Sequence, residues 1–310
     1  SNSQVFPILI KVNAMAVQRR YFRYDVSLPI HLEPVDRFGK HIGAERRQLV
    51  TMDEEAELSH LNYQVEHALE KIFGINSNAL YVFYVLNHRL NFMWWLLDTL
   101  VESEDPALAT DFRFRCKEDA KFSVPKSRAE SVIAPLIIAF YGVIDSYIAE
   151  LLSVVDNSLE GKIFIYSTPE ETQFDDKNYV KNLDKLAKDG VLPAKITRLL
   201  IDKLNIQLKV FYRLKEAFQK LSQPNEWPVL NINLSAGGFS FLSDKNHELF
   251  SQVDVFMQIY EEVMICRGKV VSVTNTHNAE KPFRVGIEFD LLTGEQQQKI
   301  TLYEQRQELH

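Results

Sequence analysis

Two short segments carry side chains suited to binding a ligand that contains phosphates and bases. The first is an arginine cluster at residues 18–23, Gln-Arg-Arg-Tyr-Phe-Arg, in which Arg19 and Arg23 have the spacing Arg-x-x-x-Arg and Arg20 is their neighbour. A guanidinium group can hydrogen-bond bidentately to a phosphate or a guanine edge, and it can stack on a base. Taken alone, the cluster is more typical of a solvated basic turn before a strand.

The second segment, residues 231–240, reads Asn-Ile-Asn-Leu-Ser-Ala-Gly-Gly-Phe-Ser and predicts a strand, a tight polar turn and a returning strand. In an extended chain Asn233 and Ser235 point to one face and Leu234 to the other. The two polar side chains offer donors and acceptors that could read a purine edge. Gly238 allows the positive φ or close backbone approach that a turn or a bound ligand requires. An ordinary polar turn in a hairpin explains the same residues.

Together, and in this order, the two motifs resemble the signature of the PilZ domain, a family of bacterial receptors for the dinucleotide cyclic di-GMP. Segments 270–273 and 283–289 also resemble the late strands of a PilZ barrel. The resemblance covers roughly residues 15 to 36 and 226 to 305. It implies an antiparallel β-barrel whose ligand contacts come from six residues: Arg19, Arg20, Arg23, Asn233, Ser235 and Gly238. Arg284 and Gly286 could lie near the same face, although strand register and a bulge account for them equally well.

A long helical segment separates the two ends of the predicted barrel. Thr51 and Glu54 have the spacing of a capping box, which predicts a helix start at this point. Near the other end, large apolar residues recur at steps of mostly three and four, as in the seam of a bundle or short coiled coil: Leu200, Leu204, Phe211, Leu214, Phe218 and Leu221. We therefore predict an α+β fold in which residues 1–50 and 223–310 form a split PilZ-like barrel and residues 51–222 form an inserted α-helical bundle domain.

Local signals predict the elements within this plan. We expect an edge strand at 5–12, a strand at about 24–35 and a short strand at 163–166. Helices are expected from 51 to about 73, from 76 or 77 to about 100, from about 126 to 155, from 177 to 188, and from Pro193 onward. Pro135 should kink the third of these helices or mark its true start. The sequence pattern of residues 112–122 is ambiguous and does not show whether they form a helix or a loop.

Composition excludes several classes of protein. A hydrophobic content of 46% with 25% charged residues is typical of a globular chain, and the net charge of −7 argues against a nucleic-acid polymer or an anionic membrane as partner. Cys116 and Cys266 lie far apart without Cys-x-x-Cys spacing, so the sequence suggests neither a disulfide framework nor a zinc site and favours a reducing cytoplasm. We expect no signal peptide and no membrane span, since the most apolar stretches, 79–101 and 132–144, are interrupted by polar residues or shorter than the ~20 residues needed.

The resemblance to the PilZ domain implies a cyclic di-GMP receptor, which we expect to be cytoplasmic and to have no catalytic residues, no metal and no cofactor apart from the nucleotide ligand. Binding is expected to order the arginine segment over the nucleotide, change how barrel and bundle pack, and act on an unidentified protein of motility, secretion or polysaccharide machinery. One alternative is a non-binding scaffold that forms homo-oligomers or protein contacts through the helical domain. Another is an enzyme in the helical domain, suggested only by His60, His67 and His88.

Overall fold

The structure is a computed structural model that describes residues 23–41, 44–73, 81–123, 134–158, 163, 165, 174, 177–219 and 223–307. The predicted edge strand at 5–12, Arg19 and Arg20 lie outside these residues. Six strands are present within them: β1 Tyr24–Pro34, β2 Val229–Ser235, β3 Gly238–Ser243, β4 Gln252–Ile259, β5 Glu262–Asn275 and β6 Phe283–Leu291.

The strands form a closed barrel in the order β1-β2-β3-β6-β5-β4. Strand β1 pairs antiparallel with β4, β2 with β3, and β3 with β6. Alternate residues of each strand point inward, so the interior is filled by apolar side chains such as Val26, Leu28, Ile232, Leu234, Phe239, Phe241, Val285 and Ile287. The predicted α+β fold with an antiparallel PilZ-like barrel is confirmed.

The helices have the bounds α1 Arg46–Leu49, α2 Met52–Phe73, α3 Tyr81–Val101, α4 Phe112–Ala120, α5 Ala134–Asp156, α6 Lys177–Lys188, α7 Leu192–Ala217 and α8 Gly294–Gln307. Seven of them lie between β1 and β2 in the chain. The capping box is formed, since the Thr51 hydroxyl accepts from the Glu54 amide and the Glu54 carboxylate accepts from the Thr51 amide. Ile163 and Ile165, on the expected short strand, are described and have no strand structure, and α8 and β4 were not predicted.

The predicted apolar seam of α7 is buried inside this chain. Leu200, Leu204, Phe211, Leu214 and Phe218 are each at most 5% exposed and belong to one core cluster with residues of α2, α3 and α5. Leu221 lies outside the described residues. The seam is therefore the packing face of a bundle rather than a coiled-coil surface left for another chain.

Two compact units are present. One contains the described residues up to Leu28 together with 230–251 and 268–307, and the other contains Pro29–Val229 and Gln252–Arg267. The division passes through β1 and β5. The end of β1, from Pro29, and the start of β5, up to Arg267, therefore belong to the same unit as α1 to α7. The boundaries predicted from the sequence, at residues 50 and 223, stay a prediction.

Among the described helices, α5 is long and apolar enough by length and composition to cross a membrane, and one third of its most apolar window is buried. One face of α5 contributes Phe140, Ile144 and Leu151 to the helical core. On the other side, Asp145 pairs with the buried Arg89 of α3. The absence of a membrane span remains a prediction.

A histidine and a glutamate join the end of β1 to the end of α7 within the helix-containing unit. The Glu33 carboxylate lies 2.6 Å from His31 Nε2 and 3.1 Å from His41 Nδ1, and His41 Nε2 lies 3.2 Å from the Ala217 carbonyl oxygen. Burial by itself would raise the pKa of Glu33, but the contacts with His31 and His41 outweigh it and lower the pKa to about 2. Burial opposes the charged form of His41, yet Glu33, the Ala217 carbonyl and Asp254 together raise the pKa of His41 above 6.5.

This cluster predicts a defined pH dependence of folding. The raised pKa of His41 gives stability that is present below pH 6.5 and lost as the pH rises through the folded value. The lowered pKa of Glu33 gives stability that is present above pH 4.5 and lost as the pH falls toward 2. Glu33→Gln should therefore lower the free energy of unfolding by about 1.5 to 3 kcal/mol near pH 5.5, and by less at pH 9. Urea unfolding at both pH values measures this, with the exposed His277→Gln as control.

Gly238 is expected to be intolerant of any side chain because of the barrel itself. Its φ is +154°, and an added Cβ would lie 2.1 Å from the Ile287 carbonyl oxygen on β6. Strain and overpacking of this kind cost about 1 to 3 kcal/mol each, so Gly238→Ala should lower the free energy of unfolding by about 2 kcal/mol or more. Gly142→Ala is the matched control, since nothing lies within 4 Å of its added Cβ. Equal thermal unfolding of both variants would contradict the expectation.

Candidate functional site

A pocket of about 450 Å³ lies on the outer face of the barrel. Its volume is within the range of small-molecule sites, roughly 300 to 1,000 Å³. All of its lining residues belong to the unit that contains the described residues up to Leu28. They are Asp25, Val26, Ser27, Asn231, Ile232, Asn233, Ser240, Phe241, Leu242, Arg284, Tyr303 and Gln307.

Strand alternation places the polar lining residues on one surface. Along β1, Asp25 and Ser27 are exposed while Val26 is buried. Asn233 of β2 is paired with Ser240 of β3, which is in turn paired with Gly286 of β6. Neighbouring strands thus present a row of short polar side chains that ends at a glycine, and this row forms a shallow polar floor.

Asn233 is held by a partner on the neighbouring strand. Its Nδ2 donates a hydrogen bond of 2.9 Å to Asp25 Oδ1, across 208 positions of sequence. One step further along the same two strands, the Ser27 hydroxyl donates to Asn231 Oδ1. These two links fix β1 and β2 side by side at the floor of the pocket.

Ser235 and Gly238 lie at the hairpin rather than in the pocket lining. The Ser235 side chain is buried, and its hydroxyl donates to the Gly238 carbonyl oxygen at 3.0 Å, closing the turn between β2 and β3. Gly238 packs against the β6 backbone, as described above. Both residues therefore shape the turn that carries Asn233, and their direct contact with a ligand stays a prediction.

Two exposed guanidinium groups are placed to meet an anion. Arg284 of β6 lines the pocket opposite Leu242. Arg23 is exposed and lies just before β1, two residues ahead of Asp25. Within the described part of the chain, neither arginine forms an ion pair. The structure thus brings Asn233 and Arg284 into one pocket with Arg23 at the start of the adjoining strand, whereas Arg19 and Arg20 are outside the residues it describes.

The far wall of the pocket comes from α8, through Tyr303 and Gln307, which are one helical turn apart. Sequence reasoning missed this helix, although Thr293 and Gln296 form a reciprocal cap at its start and have the spacing of a capping box. It also missed Asp25, Ser27 and Asn231 as site residues. The signal for those three was the period-two alternation, which puts Asp25 in phase with Arg23 and Asn231 in phase with Asn233.

The described residues contain no group of three histidine, cysteine or acidic side chains that could hold a metal ion. His67 stacks on Tyr63 of the same helix, and His88 packs against Phe122. These are two of the three histidines that suggested an enzyme in the helical domain.

Comparison with protein families gives a match to the PilZ domain over residues 187–305. The matched segment runs from the end of α6 through β2 to β6 and into α8. It covers less than half of the chain and does not include β1. The searches of curated proteins and of solved structures gave no match. PilZ domains are in general binding domains for cyclic di-GMP and are typically not enzymes. The closed antiparallel barrel and the hairpin with its Asn-x-Ser-x-x-Gly sequence agree with the family match, and together the three findings support the assignment of a PilZ domain to residues 187–305.

Proposed function

We propose that this chain is a cyclic di-GMP receptor that binds the dinucleotide in the pocket on the outer face of its barrel. The observation that carries the proposal is the placement of Asn233 and Arg284 in one pocket beside the strand that Arg23 precedes. The two residues that support it come from different motifs, Arg23 from the first and Asn233 from the second, and they are more than 200 positions apart in the sequence.

The charges of the site suit the ligand. Cyclic di-GMP carries two phosphates and two guanines, so it needs cationic donors for the phosphates and polar groups for the base edges. Arg23 and Arg284 are exposed and form no ion pair with a described residue, so their guanidinium groups can bind phosphate without first breaking a protein contact. In the proposal Arg19 and its neighbour Arg20, in the segment before β1, supply further guanidinium groups to the phosphates.

The hairpin residues contribute by geometry. Ser235 closes the turn through the Gly238 carbonyl, and the missing side chain of Gly238 lets β3 approach β6 closely. Both effects hold β2 in register with β3, which presents Asn233 to the pocket. Contacts from Ser235 and Gly238 to the nucleotide itself remain part of the proposal.

The output of binding, in this proposal, is a protein contact. The nucleotide would change the packing between the barrel and the helical domain, and a cytoplasmic partner from motility, secretion or polysaccharide machinery would respond to it. The alternative role, a non-binding scaffold that forms homo-oligomers, was motivated by the apolar seam of α7. That seam is buried within the chain, so it does not favour the alternative.

Calorimetric titration of cyclic di-GMP tests the proposal. Arg23→Ala and Asn233→Ala should each weaken binding about tenfold or more, because a hydrogen bond that involves a charged group contributes about 1.5 to 3 kcal/mol and 1.4 kcal/mol is tenfold. An Arg19→Ala, Arg23→Ala double variant should abolish measurable binding. Arg47→Ala is the control, since Arg47 is an exposed arginine of α1 outside the pocket. Equal affinity of all four variants and wild type, or no binding by a folded wild type, would overturn the proposal.

A further inference from the structure

We propose that Asp25 makes this pocket selective for guanine by fixing the orientation of the Asn233 amide. The inference rests on the proposed function and deepens it, because it names a residue outside both recognition motifs. The observation behind it is the hydrogen bond from Asn233 Nδ2 to Asp25 Oδ1, 2.9 Å long, between two residues that line the same pocket.

The chemistry of the pair leaves one orientation of the amide. An ionised carboxylate only accepts hydrogen bonds, so the atom of Asn233 that faces Asp25 must be the NH2 group. The carbonyl oxygen Oδ1 then lies on the other side of the amide. No described residue donates a hydrogen bond to it, so it is left as an acceptor for a ligand.

The pair thus presents one acceptor with a fixed orientation to the pocket, the amide oxygen of Asn233. Guanine carries two adjacent donors, N1–H and the exocyclic N2 amino group, on its Watson–Crick edge. Adenine has a lone pair at N1 and no amino group at C2. The Asn233 amide oxygen can therefore accept from guanine, whereas against adenine N1 it would face another lone pair.

Without Asp25 the amide of Asn233 could turn over. An asparagine side chain has a donor and an acceptor of nearly the same shape, and it can serve adenine as readily as guanine. The neighbouring pair is different, because the Ser27 hydroxyl donates to Asn231 Oδ1 and so uses that amide oxygen inside the protein. On this floor the Asp25 and Asn233 pair is the one that leaves its amide oxygen to the ligand.

The experiment compares cyclic di-GMP with cyclic di-AMP, since the two share the phosphate ring and differ in the bases. Wild type should bind cyclic di-GMP and strongly prefer it. Asp25→Asn removes the charge, keeps the shape and introduces a donor. It should reduce the ratio of the two affinities by about 10- to 100-fold, the scale of one hydrogen bond to a charged group. Asp244→Asn, the same change at an exposed position outside the pocket, should leave both affinities unchanged.

A double variant separates this role from a loss of structure. If the two side chains act as a unit, Asp25→Asn combined with Asn233→Ala should lose no more selectivity than Asn233→Ala alone. Thermal unfolding of each variant shows whether the barrel is intact. Preferential binding of cyclic di-GMP by wild type with an unchanged ratio in Asp25→Asn overturns this inference and leaves the proposed function standing. Failure of wild type to bind either dinucleotide overturns both.

Discussion

The pairing of β1 with β2 is the constraint on which the rest of the structure depends. The two strands are neighbours in the barrel although α1 to α7 lie between them in the chain. The pairing is anchored where the Ile30 amide donates to the Pro228 carbonyl oxygen at 3.0 Å, and it continues through Ser27 with Asn231 and Asp25 with Asn233. The entropic cost of closing a loop rises only slowly with its length, and a folded insert whose ends lie close together reduces that cost further. The long insert is therefore compatible with a closed barrel.

The insert must be rigid enough to keep its two ends together, and buried polar contacts contribute to this. Lys203 of α7 is almost fully buried and donates to the side-chain oxygens of Asn87 and Asn91 on α3. Burial lowers the pKa of Lys203 to about 8, with a small opposing contribution from Glu66. A buried amine is costly unless its donors are satisfied, and sliding α7 along α3 would separate Lys203 from Asn87 and Asn91. We infer that the contacts set helix register more than they add stability.

The fold could be predicted from the sequence where the signals are local or where the family pattern is specific. The Thr51 and Glu54 cap located the start of α2, and the spacing of apolar residues in α7 identified a bundle face. The pairing of Asp25 with Asn233 could not be predicted, because it depends on which strands become neighbours, and period-two alternation along one strand does not reveal its partner. For the same reason the close approach of Gly238 to the backbone of β6 could not be predicted, because the sequence does not say which strand lies beside it.

The electrostatics of the site explain how a chain with a net charge of −7 can be suited to a dianion. At physiological ionic strength exposed charges are largely screened beyond roughly 8 Å, so the charges in and beside the pocket matter more than the total. There the guanidinium groups of Arg23 and Arg284 are exposed, while the carboxylate of Asp25 is engaged with the Asn233 amide. Cationic donors suit phosphate and anionic or carbonyl acceptors suit the guanine edge, so a site with both signs discriminates better than a purely basic one. A uniformly basic surface would attract any polyanion. In the proposed site the carboxylate of Asp25 would reduce that general attraction and, by orienting the Asn233 amide, would make the identity of the base matter.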